Sequence, residues 1–106
     1  MIIHLCQKNG VYIFSDEIFC DLTFSENKFP ILIKSDYSKI IVGNSISKAF
    51  NCTSIQGGYG LIKDEEVRKR YWKISECFKL CHNEFSLILT PIVYGEMSLS
   101  WLQKVE

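Results

Sequence analysis

The stretch Lys39-Ile-Ile-Val-Gly43, run on into Asn44-Ser-Ile-Ser-Lys-Ala-Phe50, decides how this chain is read. The first part is a short β-branched apolar run ended by glycine, the pattern of a covered strand. The second part is a polar turn that carries one lysine, Lys48, with hydroxyls at Ser45 and Ser47. Upstream, Val11-Tyr-Ile-Phe14 is apolar at every position and runs into Ser15-Asp16-Glu17-Ile18. Two strands thus deliver a lysine and a carboxylate just past their carboxyl ends, where open α/β sheets bind their ligands.

Working outward, Ile2 to Lys8 reads as the end of a helix stopped by Asn9-Gly10. Asn27 to Pro30 reads as a loop, and Ile31-Leu-Ile33 as a short apolar patch. Gly57-Gly-Tyr-Gly-Leu-Ile62 is expected as a third strand, with glycines where backbones must come close. Asp64-Glu-Glu opens a helix that Asp64 can cap. Val67, Tyr71, Ile74, Phe78 and Cys81 then form one apolar stripe at helical spacing. Residues 85 to 106 are helix-like, with Pro91 as a kink or start. Three strands followed by helices give an α/β class. Strands of this covered type need helices on both faces, so the sequence reads as one piece of a larger α/β domain.

Composition narrows the function. Twelve basic and twelve acidic residues leave no basic field for nucleic acid or an anionic membrane surface. The apolar run at the N-terminus is too short for a signal peptide, and Leu87 to Tyr94 is interrupted by Thr90-Pro91, so a cytoplasmic location is expected. Cys6, Cys20, Cys52, Cys77 and Cys81 are an odd set, read as reduced thiols that pack as apolar residues. Cys77, Cys81 and His82 lack a fourth ligand at zinc-like spacing, so no metal is expected. Ser45-Ile-Ser-Lys48 also spells the serine acyl-transfer motif, but its Ser-Asp-Asn and Lys-Thr-Gly partners do not occur. Gly57 to Gly60 fits no phosphate-loop spacing.

A lysine and an aspartate beyond neighbouring strand ends are what pyridoxal phosphate needs, one at its aldehyde and one at its ring nitrogen. Ser15-Asp-Glu-Ile-Phe-Cys-Asp-Leu22 resembles the Ser-Asp-Glu-Ile-His-x-Asp-Leu segment of the fold-type I pyridoxal phosphate enzymes. Ser45-Ile-Ser-Lys-Ala-Phe-Asn51 resembles their Ser-x-Ser-Lys-x-Phe-Asn. Gly58-Tyr-Gly-Leu-Ile62, Tyr94-Gly-Glu96 and Trp101-Leu102 follow in family order. Within the class I/II aminotransferase family, the likeness is to the cystathionine β-lyase-like, cysteine-S-conjugate β-lyase group. It covers nearly all of this chain and a central, minor part of the family's.

The resemblance implies a partial, mixed, mostly parallel sheet of the fold-type I large domain, with long helices from about residue 85 leading toward a C-terminal domain. It implies a carbon–sulfur β-lyase, or alternatively an aminotransferase or a truncated, non-catalytic piece of either. The substrate would be a cysteine-like or other amino acid, and the full-length family is expected to be a homodimer. Lys48 would form the Schiff base and shuttle the Cα proton, Asp16 would hold the pyridine nitrogen, and Ser45 and Ser47 would contact the phosphate. The chain departs from the family at Phe19, where His or Tyr usually stands near the cofactor's phenolic oxygen. It departs again at Gln56, where many aminotransferases carry a phosphate-binding Arg; the β-lyase-like members often lack it too.

Overall fold

A computed structural model of the chain describes residues 1–22, 29–80 and 83–105. The backbone gathers into two compact units, one built from Met1–Asp16, Pro30–Gly43 and Gly60–Leu80, the other from Glu17–Phe29, Asn44–Tyr59 and Cys81–Glu106.

In the first unit, helix α1 (Ile2–Asn9) ends where the sequence expects. Gly10 takes the left-handed conformation at φ 66°, and the amides of Gly10 and Val11 close on the carbonyls of Gln7 and Cys6. Strand β1 spans Ile13–Asp16, two residues later than the apolar run suggests. The reason is local: the Val11 amide is spent on the α1 cap, and its carbonyl accepts the Tyr37 hydroxyl at 2.6 Å. Strand β2 (Ile40–Asn44) pairs with β1 in parallel, in the register Ile13↔Ile40 through Asp16↔Gly43. With β3 (Tyr59–Ile62) the sheet has the order β1-β2-β3.

Tyr37, Ile40 and Val42 form this unit's core, with Ile3, Cys6, Ile13, Leu32 and Ile33 packed against it. Only one face of β1 joins it. Phe14 is 68% exposed, so the expectation of a strand covered on both sides is corrected: its burial alternates. Helix α2 (Glu65–Cys77) is capped by Asp64, which accepts from the amides of Glu66 and Val67 at 3.0 and 3.1 Å. Its expected apolar stripe is also uncovered, with Tyr71, Ile74 and Phe78 exposed. Cys77 is exposed rather than packed in a core, and Cys81 and His82 lie outside the described residues.

In the second unit, α3 (Glu84–Val93) starts on Asn83, whose side chain accepts from the Phe85 amide. Pro91 is accommodated inside its last turn, and the break falls at Tyr94-Gly95 instead, where α4 (Glu96–Leu102) departs at 74°. These helices are shorter than the long ones expected. No single helix among the described residues is long and apolar enough to cross a membrane.

Candidate active site

The lysine turn belongs to the second unit. Ile46, Ala49 and Phe50 are buried together, and Leu22, Cys52, Leu89, Val93, Tyr94 and Leu102 pack around them. Spacing of three and four residues turns these apolar side chains to one side, whereas Lys48 is exposed and Ser47 half-buried. The Phe50 amide bonds to the Ile46 carbonyl and the Asn51 amide to the Lys48 carbonyl, each at 3.3 Å. Asn51 closes the turn at φ 52°, a left-handed position that asparagine tolerates. The apolar neighbours of Lys48 therefore anchor the turn. They leave the amine itself exposed.

Ser45 is buried and its hydroxyl is committed: Oγ donates to the Gly57 carbonyl at 2.5 Å and accepts from the Ser47 amide at 3.2 Å. The Asn44 side chain accepts from the Ser45 amide at 2.6 Å and donates to Cys20 Sγ at 3.3 Å. Space opposite is tight at two glycines, most of all at Gly57. A Cβ on Gly57 would lie 2.5 Å from Ser86 Cβ, and one on Gly58 would lie 3.2 Å from the Asn44 carbonyl oxygen.

Asp16 belongs to the first unit, as the last residue of β1 in register with Gly43. It is exposed, so no cost of burying a lone carboxylate arises there. The buried carboxylate is its neighbour. Glu17 is 4% exposed, and its Oε1 has no hydrogen-bond partner among the described residues. Phe19 is exposed.

Sequence reasoning missed one cluster in the second unit. Tyr94 donates its hydroxyl to Asp21 Oδ2 at 3.0 Å, and the Tyr59 hydroxyl lies 2.9 Å from that of Tyr94. Burial, the Tyr59 hydrogen bond and the Asp21 charge push the Tyr94 phenol far above its usual range. Burial likewise raises Tyr59, and burial followed by the Asp21 charge raises the Cys20 thiol. The pattern Asp-Leu at 21–22 with a Tyr-Gly at 94–95 was visible, but nothing in it signalled contact.

The parallel α/β fold and its solved neighbours make this a chain of the pyridoxal phosphate-dependent, fold-type I class. More narrowly, the chain belongs to the family described as aminotransferase class I and II, whose pattern residues 1–93 match. Two solved structures are similar over 97% of this chain. A PLP-bound C-S lyase from Staphylococcus hominis superposes with a TM-score of 0.82 at 30% identity, over 26% of its own length. A PLP-bound protein of Clostridium difficile 630 described as an aminotransferase superposes with a TM-score of 0.86 at 28% identity, over 27% of its length. Protein MalY of Escherichia coli K12 is 31% identical over 70 residues, 63% of this chain and 17% of MalY. A Haemophilus influenzae relative named dTDP-glucose 4,6-dehydratase is 36% identical over 100 residues, 89% of this chain and 29% of its own. The relatives' names do not agree on one reaction, and the chain spans less than a third of each of them.

The residues present fit pyridoxal phosphate by donor chemistry. That cofactor offers an aldehyde, a basic ring nitrogen and a phosphate. The exposed Lys48 amine suits the aldehyde, and the exposed Asp16 carboxylate suits a protonated nitrogen. Ser47 Oγ makes no hydrogen bond among the described residues and suits a phosphate oxygen, whereas Ser45 has already given its proton to Gly57.

Proposed function

We propose that this chain carries the cofactor-binding centre of a pyridoxal phosphate-dependent carbon–sulfur β-lyase acting on cysteine-like amino acids. The observation that supports it is the lysine turn: three buried side chains and a buried serine staple hold a turn that leaves Lys48 exposed and Ser47 half-buried. Bound pyridoxal phosphate supplies an electron sink for the charge left when a substrate loses its Cα proton. Lys48 would hold the cofactor at its aldehyde, and its amine would be the base that accepts the Cα proton. Asp16 keeps a proton on the ring nitrogen by charge pairing. Ser47 donates to the phosphate, and Ser45 holds the turn that aims it. Overall, a thioether amino acid and water give a thiol, a keto acid and ammonia.

The similarity to a structure described as an aminotransferase favours a second reading, in which the amino group is transferred and no thiol leaves. Both readings use the same Lys48. The test is direct. The chain is mixed with pyridoxal phosphate, reduced with borohydride and mapped by mass spectrometry. Pyridoxyl label concentrated on Lys48 is expected; label on the other lysines with Lys48 untouched refutes the assignment. Thiol release from a cysteine conjugate, measured against keto-acid-dependent amine transfer, separates the two reactions.

A further inference from the structure

We propose that Tyr94 is a positioning residue for Lys48: Asp21 fixes its hydroxyl, its ring fixes Phe50, and Phe50 sets how the lysine turn presents its amine. The inference rests on the function proposed for Lys48 but is carried by separate geometry. The Tyr94 ring meets the Phe50 ring edge-on, with centroids 5.3 Å apart and planes at 82°. Such pairs are directional, so turning one ring displaces the other. Phe50 lies two residues after Lys48, and its amide closes the turn on Ile46.

Leu22, Leu89, Val93 and Leu102 touch the same cluster through apolar surface alone. Such contacts are non-directional and let a side chain slide. Tyr94 adds a polar tether 73 residues away in sequence, at Asp21 Oδ2. Since a carboxylate only accepts, Tyr94 donates to it and Tyr59 donates to Tyr94, which leaves one arrangement of the two phenols. Burial, the Tyr59 hydrogen bond and the Asp21 charge push the Tyr94 phenol up, which agrees with its place as the donor to Asp21.

The test compares the full chain with Tyr94→Phe, Asp21→Leu and the double variant. The first readout is amide exchange without cofactor. Each single variant should speed exchange of the Phe50 and Asn51 amides about tenfold, the factor that 1.4 kcal/mol represents. The double variant should add little, because both changes cut one tether. Helix α2, in the other unit, should not change. Turn amides that stay unmoved, or that speed up only in step with α2, overturn the inference. Asp21→Leu decides the matter should Tyr94→Phe fail to fold. The second readout is the share of borohydride-trapped label on Lys48, which should fall about tenfold relative to the other lysines, to match. If wild-type chain places no label on Lys48 while the exchange result holds, the proposed function fails and the positioning of the turn stands.

Discussion

The hydroxyl of Ser45 donates to the carbonyl of Gly57 at 2.5 Å, so the first hydroxyl of the lysine turn is bonded to backbone twelve residues ahead. Ser45→Ala leaves that carbonyl and the Ser47 amide without their partner in a buried site. The expected loss is about 1–3 kcal/mol, read as a lower denaturant midpoint with an unchanged slope. A stability equal to wild type would mean that the staple is dispensable.

Gly57→Ala tests the other side of that contact. Its new Cβ would sit 2.5 Å from Ser86 Cβ and 2.6 Å from Ser86 Oγ. Overpacking of this kind costs about 1–3 kcal/mol. Ser86→Ala leaves the Cβ clash and should not rescue it. Ser86→Gly removes the clash and should recover most of the loss, less about 1 kcal/mol for a glycine inside α3. Thermal unfolding of the two double variants checks the order.

Burial separates the two kinds of apolar side chain. Ile40 is 0% exposed, and Ile40→Ala should cost about 2–5 kcal/mol. Phe78 is 73% exposed despite its place on the α2 stripe, and Phe78→Ala should change stability by no more than about 0.5 kcal/mol. Comparable losses in the two variants would show that the stripe is covered.

Asp64 gives a pH dependence. The Val67 amide, then the Tyr12 hydroxyl at 3.0 Å, hold its carboxyl below the usual range. A depressed folded pKa contributes stability above the unfolded value of about 3.9, and that contribution is lost as the pH falls through the folded value. Asp64→Asn keeps a capping oxygen but does not titrate. The stability difference between wild type and Asp64→Asn should therefore shrink on acidification below about pH 4, followed by helical circular dichroism. A constant difference across that window would contradict it.

Much of this was legible in the residues themselves where the chemistry is local. Asn9-Gly10 stops α1, Asp64 starts α2, and the lysine turn sits directly after β2. What failed was inference about coverage. An apolar run such as Val11–Phe14 reports what a strand could bury, not what lies against it, and Phe14 faces outward. Pro91 drew attention as a helix breaker, yet two residues before the end of α3 it interrupts little, and Gly95 makes the break. Tyr94 and Asp21 meet across 73 residues, and no periodicity encodes that distance.

The central claim is that Asp16 and Lys48 serve one heterocycle. It is tested most directly by nitrogen NMR of the chain carrying ring-labelled pyridoxal phosphate reduced onto Lys48. With the shift followed against pH, the account predicts that the ring nitrogen keeps its proton to a higher pH in the wild-type adduct than in Asp16→Asn. The same nitrogen shift in both adducts would contradict it.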